Sequence, residues 1–377
     1  MTDIEVVFAS GRPDAFEYPG GDTVQLEETR AALRDRGVTV RTVEDGEDLT
    51  GVEDADILHV FNLPYSQRMQ DLVRTGREKG LSIAVSTVYW DFSHSLLLRA
   101  FSLRLGVDPT RLLKPLVPAM YPVFHRLRTI LRSDSAFGLS RRRLNSIVED
   151  ADVLLPNSAA ELCKLAAWLG RNPDTLAQRA RVVPYAVDTD TFGLDDEAGD
   201  RAAEAYGVDN FVLEVGKLSP NKNQLALLEA TRGLDRDLVI VGQGESAYAE
   251  RVRDRAARRD DVTYIEHAPH EELAALYNAA DVHALPSFRD SPGLVSLEAG
   301  ACGCDLVVSR PTFCPVEEYF GNVAHRCDPY DQSSIRNALI RALESDRNTP
   351  EFRRRIQEEF TWDRVGQVTL EAYEEIY

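Results

Sequence analysis

The sequence predicts an α/β protein of two doubly wound parallel sheets, and three observations carry that prediction. Apolar runs of strand length alternate with amphipathic stretches of helix length from Ile4 to Glu344. The alternation comes in two series, separated by Asp188 to Gly207, an acidic stretch without apolar periodicity that reads as a linker. The length of 377 residues also exceeds one ordinary core and suits two domains with a cleft between them. In such sheets ligands are expected beyond the carboxyl ends of the strands.

Ile4 to Ala9 is an apolar run of strand length. A Gly/Pro loop through Gly20-Gly21 leads to a helix over Thr23 to Arg36, with Val24, Ala31, Ala32 and Leu33 apolar and Gly37 as its stop. Strands are expected over Val38 to Val43, Asp56 to Phe61 and Leu81 to Thr87, with a helix over Ser66 to Lys79. Val153 to Pro156, a helix over Ser158 to Leu169 and a strand over Arg181 to Pro184 close the first series. The second series opens with strand Phe211 to Val215, helix Lys222 to Arg232, strand Asp237 to Val241, helix Glu245 to Arg258 and strand Val262 to Ile265. It continues with helix Glu271 to Ala279, strand Val282 to Leu285, helix Gly293 to Cys302, strand Asp305 to Ser309 and helix Asp331 to Glu344.

Hydrophobic residues at 44% and charged residues at 28% mark a globular chain able to bury real cores, not a disordered or fibrous one. The net charge of −19 repels phosphate backbones and argues against a general nucleic-acid binder. Acids at the N-terminus and the lack of an 18-residue apolar run predict neither a secretory signal nor a membrane span, so the chain reads as cytoplasmic. Cys163, Cys302, Cys304, Cys314 and Cys327 are an odd count in a long chain, which argues against a disulfide framework. Arginine outnumbers lysine 38 to 5, which with the acidic surface hints at a GC-rich or salt-tolerant source.

One segment reverses the charge. His94 to Ile147 holds ten Lys/Arg against Asp108 and Asp134, so it carries +8 while the remainder carries −27. Leucines and phenylalanines interleave with those bases, as in surface-seeking amphipathic helices. Three readings fit: a solvated helical insertion paired with the acidic body, a patch for an anionic membrane or acceptor, or a nucleic-acid contact.

The second series opens with Val215-Gly216-Lys217-Leu218-Ser219-Pro220-Asn221-Lys222-Asn223. A glycine after a buried strand lets the backbone approach a ligand, and lysines five apart, one in the turn and one at a helix start, reach the same anion, for which a diphosphate is the natural guest. A lysine pair also occurs on ordinary solvated faces. Farther on, a Pro/Gly turn at Asp290-Ser291-Pro292-Gly293 introduces a helix whose first residues, Gly293, Leu294 and Val295, offer N–H groups to an anion. Asp290 precedes that helix end and Glu298 lies inside it. Carboxylates accept from hydroxyls, so one suits a sugar and the other a ribose; the plainer alternatives are an N-terminal charge and a surface residue.

Other patterns are weaker. Asp188-Thr189-Asp190 has the Asp-x-Asp form that holds Mg²⁺ elsewhere but falls in the expected linker. Cys302-Gly303-Cys304 lacks the two-residue gap of a zinc knuckle and reads as small buried thiols. His59, on a strand, suits the cleft lining or the core better than a base. Gly242-Gln243-Gly244 opens a helix, and a lone Gly-x-Gly is a weak phosphate signal.

Taken together, Gly216-Lys217-Leu218-Ser219-Pro220, Val239-Ile240-Val241-Gly242-Gln243-Gly244 and the Asp290 to Glu298 segment resemble the large family 4 type of retaining glycosyltransferases with the GT-B fold. Val182-Val183-Pro184-Tyr185-Ala186-Val187-Asp188 is similar to that family's interdomain motif, Gly20-Gly21 to its N-terminal glycine-rich loop, and Phe360-Thr361-Trp362-Asp363 to its final Phe-Ser-Trp. The resemblance spans the chain, tightly from Val182 onward. It implies two Rossmann-like doubly wound domains facing a cleft: an acceptor domain over 1–187 with a basic amphipathic insertion at about 94–147, a donor domain over 188–360, and a helix over 361–377 that crosses back to the first.

The resemblance implies a nucleotide-diphosphate sugar as donor substrate, no other cofactor and no metal. Lys217, Lys222 and the helix end at Gly293 to Val295 would hold the diphosphate, with Gly20, Gly21 and Gly216 close to the donor. Glu298 would take the ribose, Asp290 the donor sugar's hydroxyls, and the backbone near His267 the base. The acceptor would be a saccharide or a lipid-linked glycan, with peripheral contact to an anionic inner leaflet through 94–147 and no nucleic-acid partner. Three departures accompany the likeness. Asp290 stands where the family has Glu, which leaves the donor open. Lys217 stands where Arg is usual, so a point charge replaces a bidentate fork. The histidine that often follows the strand corresponding to Leu81 to Thr87 is absent; Tyr89, Trp90 or Asp91 fills that place, or His94 folds back into it. The alternatives to a transferase are a non-catalytic sugar-nucleotide binder and a sugar-nucleotide epimerase.

Overall fold

The computed structural model describes residues 4–18, 20–43, 49–52, 54–91, 140–208, 210–345 and 348–377. They divide into two compact units: the described residues up to Asp91, 140–186 and 360–377 form one, and 187–359 the other. His94 and most of the basic segment, 94–139, lie outside the described residues. No described helix is long and apolar enough to cross a membrane.

In the first unit β1 (Glu5–Ser10), β2 (Thr39–Val43), β3 (Ile57–Phe61), β4 (Ser82–Ser86) and β5 (Val153–Leu155) form one parallel sheet in the order β2-β1-β3-β4-β5. The central strands are covered on both faces, which is why β3 is buried along its whole length. Helix Gly21–Arg34 packs Leu26 and Leu33 on one face together with Val365, Ala372 and Tyr373 of the C-terminal helix Trp362–Glu374. Those two helices approach closely at Gly366, where a Cβ would lie 2.8 Å from that of Ala32. His59 belongs to this core. Its ring nitrogens stand 2.6 Å from the Tyr373 hydroxyl and 2.8 Å from Ser86 Oγ, and burial lowers its pKa to about 3.

The second unit holds β6 (Phe211–Val215), β7 (Asp237–Val241), β8 (Val262–Ile265), β9 (Val282–Leu285), β10 (Asp305–Ser309) and β11 (His325–Cys327), all parallel, in the order β11-β10-β9-β6-β7-β8. Helices Gln224–Ala230 and Gln332–Leu343 cover one face through Leu225, Leu228, Ile335 and Leu339.

Several expectations are corrected. Arg181 to Pro184 is not a strand: one bridge joins Leu154 to Ala180, and although Val183 N–H donates to the Pro156 carbonyl at 2.9 Å, Pro156 has no N–H to return the bond. The stretch Asp188 to Gly207 is not an open linker. It contains helix Asp196–Tyr206, capped by Asp195 at its start and by left-handed Gly207 at its end, and this helix packs on helix His270–Ala279. Its buried face is small, Gly199 and Ala202, because a Cβ on Gly199 would come 3.0 Å from the Asn278 backbone. The helix expected from Lys222 begins at Gln224, since Asn223 takes the left-handed conformation at φ +65°. Strand β11 and the short helices Pro173–Ala177, Val316–Tyr319 and Pro350–Glu359 add to the expected elements.

Candidate functional site

In the second sheet, consecutive strands run outward from β6 to one side and from β9 to the other, so the order reverses between β6 and β9. In a doubly wound sheet that reversal opens a crevice beyond the carboxyl ends of the two strands. The loops that leave there are Gly216–Asn223 and Pro286–Gly293, and they hold most of the expected donor residues.

The loops are laced together. Phe288 N–H donates to the Asn221 carbonyl at 2.8 Å, Asn221 Nδ2 to the Arg289 carbonyl at 2.9 Å, and Asn223 Nδ2 to the carbonyls of Pro286 and Pro329. On this frame Lys222 Nζ meets Asp290 Oδ1 at 2.8 Å, with the two side chains only 18% and 13% exposed. Gly293, at φ +96°, caps helix Leu294–Ala301, and a Cβ there would lie 3.6 Å from Asp290 Cγ. A cation, a carboxylate and a helix N-terminus therefore share one place, and the helix end adds a partial positive charge for an anion. Leu294 and Val295 form the first turn and are half-buried.

Gly216 lies against Lys222: a Cβ on it would sit 3.5 Å from Lys222 Cε. Lys217, next in the chain, is exposed. Glu298, one turn into the helix, accepts from the Tyr277 hydroxyl at 3.2 Å, and burial of its carboxyl raises its pKa to about 7 against that bond's opposing pull. His267 is exposed in the loop after β8, the strand at the sheet's edge, apart from the β6–β9 crevice.

Gly242 and Gly244 have a packing role. A Cβ on Gly242 would fall 2.0 Å from the Gly216 carbonyl oxygen and one on Gly244 would fall 2.8 Å from that of Leu218. The two glycines let the loop after β7 press against the turn that carries Lys217, and Leu218 N–H donates to the Gln243 carbonyl at 2.8 Å.

The first sheet reverses between β1 and β3. Gly20 and Gly21 lie there, Gly20 as the cap and Gly21 as the first residue of helix Gly21–Arg34. Three residues that the sequence reading passed over organise this end. The Arg12 guanidinium pairs with Asp22 at 2.9 Å and donates to the Tyr18 and Ala15 carbonyls and to Thr23 Oγ1. Asn62, at φ +76°, donates to the same Asp22 carboxylate. An arginine beside Gly11, with an acid at the second helical position, was the available signal.

After β4 the candidates Tyr89, Trp90 and Asp91 fare differently. Tyr89 and Trp90 are 2% and 1% exposed. Tyr89 N–H donates to Glu161 at 2.9 Å, the Thr87 hydroxyl donates to the same carboxylate, and Lys164 Nζ stands 4.6 Å over the Trp90 ring. Asp91 is half-buried. Val88, immediately before them, sits at φ +40°, a strained angle for a β-branched residue.

The weaker patterns find structural uses. Asp188 accepts from Asp190 N–H at 3.1 Å and from the Thr191 hydroxyl at 2.6 Å, closing a turn. Cys302 and Cys304 are buried free thiols, and Cys304 Sγ donates to the Tyr277 carbonyl at 2.9 Å. Among the described residues no group of three or more His, Cys, Asp or Glu is arranged to hold a metal ion. Arg141 donates twice to the Leu169 carbonyl, so one of the ten bases of the charged segment serves a helix end.

Comparison with known proteins bears on the second unit first. Residues 195–360 match the family described as Glycosyl transferases group 1. A D-inositol 3-phosphate glycosyltransferase of Corynebacterium efficiens is 31% identical over 215 residues, 53% of this chain and 50% of that protein, so the chain spans about half the length of this relative. Among solved structures, sucrose-phosphate synthase of Thermosynechococcus elongatus superposes with a TM-score of 0.71 at 16% identity, covering 99% of this chain and 98% of the other. HepE of Anabaena, solved in complex with UDP-glucose, gives 0.70 at 14% identity, covering 99% of this chain and all of its own. Residues 195–360, which include both lysines, Asp290 and Glu298, therefore form a Glycosyl transferases group 1 domain, and the chain as a whole has the GT-B fold of the solved glycosyltransferases it superposes on.

Proposed function

We propose that the protein is a retaining glycosyltransferase that moves a sugar from a nucleotide diphosphate to a hydroxyl of a saccharide or lipid-linked acceptor, without a metal or other cofactor. One observation carries the reading: Lys222, Asp290 and the helix end at Gly293 meet where the loops after β6 and β9 leave the sheet, inside the family domain.

In this reading Lys222, Lys217 and the N–H groups of Leu294 and Val295 receive the diphosphate. As the glycosidic bond breaks, its electron pair goes to the phosphate oxygen, and fixed positive charge there lowers the barrier. The acceptor oxygen forms the new bond on the same face and its proton passes to the departing phosphate. Asp290 exchanges Lys222 for a sugar hydroxyl, Glu298 takes the ribose, and His267 lies on the side of the base. Gly20, Gly21 and Gly216 lie close to the donor, and Asp91 or His94 serves the acceptor. Through its charge, the +8 segment brings the enzyme to anionic membranes.

Incubation with UDP-, GDP- and ADP-sugars, read by nucleotide release and by the mass and anomeric configuration of the product, tests the reading. A glycosylated acceptor of retained configuration, formed equally in EDTA, supports it. Thermal stabilisation by nucleotide without release would point to a binder, and an isomerised free sugar to an epimerase. Flotation with anionic and neutral vesicles tests the membrane contact, and equal recovery from both would overturn it.

A further inference from the structure

Beneath the Lys222–Asp290 pair lies a carboxyl group that no part of the reading above employs. Glu214 is the fourth residue of β6, an otherwise apolar strand between β7 and β9, and it is fully buried. Its Oε1 accepts from Gln224 Nε2 at 3.1 Å, and its Oε2 is buried without a hydrogen-bond partner among the described residues. The same Gln224 nitrogen donates to the Lys217 carbonyl at 3.2 Å, while Gln224 Oε1 accepts from Ser219 N–H at 3.4 Å. Glu214 thus fixes which way the Gln224 amide faces, and the amide clasps the turn that bears Lys217. Toward the second lysine, Gly216 is the spacer: a Cβ on it would stand 3.4 Å from Glu214 Oε1 and 3.5 Å from Lys222 Cε.

A buried carboxylate so placed would neutralise the ammonium that the diphosphate needs. We propose that Glu214 is a positioning residue held as a neutral carboxylic acid, bracing the Lys217 turn through Gln224 while leaving the charge of Lys222 to the donor diphosphate. The inference rests on the proposed donor site. An ionised carboxylate with an unpartnered buried oxygen costs far more than the neutral acid in the same place. Burial accordingly pushes the Glu214 carboxyl well above the usual carboxylate range, outweighing the opposing pull of Lys222 and the Gln224 bond, and Asp290 pushes it the same way.

The consequence is a sign. Once Glu214 ionises, a negative charge stands beside the diphosphate, so nucleotide affinity falls as pH rises. Lys222 and Asp290 are the charged groups that bear on Glu214; His283 on the adjoining β9 and Glu298 on the helix remain in every variant and cancel in a ratio. The experiment measures the affinity of the full chain for UDP, GDP and ADP by calorimetry between pH 7 and 10, for wild type, Glu214→Gln and Glu214→Met. The expected result is that wild type and Glu214→Gln bind alike at pH 7, where the acid is neutral, and that any divergence toward pH 10 is a loss in wild type, of up to roughly tenfold for one added charge at close approach. Glu214→Met offers no acceptor to Gln224, so it binds about tenfold more weakly at every pH with no added alkaline loss, and it stands in for Glu214→Gln should that variant not fold. Wild type that already binds roughly tenfold more weakly than Glu214→Gln at pH 7, or that gains on it as pH rises, would overturn the inference while leaving the donor site intact. No binding of any nucleotide to wild type at any pH would overturn the donor site and the inference together.

Discussion

Lys222 Nζ and Asp290 Oδ1 stand 2.8 Å apart, joining the loop after β6 to the loop after β9 at the point where the strand order reverses. Each group is expected to serve the donor, yet without it they serve one another. The proposed function makes donor binding an exchange, in which phosphate replaces carboxylate at the lysine and a sugar hydroxyl replaces the lysine at the carboxylate.

That exchange predicts an asymmetry between variants. Lys222→Met leaves Asp290 enclosed without its cation, so it lowers both thermal stability and kcat/KM, the latter by about 100-fold or more. The double variant Lys222→Met with Asp290→Asn removes the stranded charge, so it regains melting temperature but not turnover. Thermal denaturation beside donor turnover gives both readings.

Two glycine substitutions, at φ +154° and φ +64°, contrast backbone strain joined to a steric clash with backbone strain alone. Gly242→Ala drives a methyl group into the Gly216 carbonyl, at 2.0 Å before relaxation, and is expected to cost about 3 kcal/mol and weaken nucleotide binding. Gly207→Ala meets nothing within 4 Å, so it carries only the left-handed strain of φ +64°, about 1 kcal/mol, with binding unchanged. Urea unfolding of the two variants checks the difference.

Acid should destabilise the first unit through His59. Its folded pKa of about 3 lies below the ordinary 6.5, so the unfolded chain binds a proton that the folded chain refuses, and stability is lost as pH falls from about 6.5 toward 3. His59→Leu strands the Tyr373 and Ser86 hydroxyls and is less stable at pH 7.5, but its stability declines less on acidification. Melting temperatures at pH 7.5 and 5 measure the two slopes.

Glu298 acts with the opposite sign. Its folded pKa of about 7 exceeds the ordinary 4.5, so the folded state holds a proton that the unfolded state releases, and this contribution to stability shrinks as pH rises from about 4.5 to 7. Against Glu298→Gln, wild type should look relatively more stable at pH 5 than at pH 8.

The second sheet was legible because its buried parallel strands are uninterrupted apolar runs. Phe211–Val215, Asp237–Val241 and Asp305–Ser309 coincide with the runs that announce them. Helix Asp196–Tyr206 was not, since it buries a glycine and an alanine where periodicity looks for large side chains. Lys222, Asp290 and Gly293 announce themselves by residue type beside turn glycines. Asn62 does not: it lies 40 residues from Asp22, and the β1–β3 adjacency brings the two together. Glu214 did carry a signal, a charge inside an apolar strand, which the search for apolar runs passes over.

The most direct test of the account is a crystal structure of the protein grown with UDP. The account predicts the diphosphate within hydrogen-bond distance of Lys222 Nζ and of the N–H groups of Leu294 and Val295, with the Lys222–Asp290 pair opened. A diphosphate bound elsewhere, with that pair still closed at 2.8 Å, would contradict it.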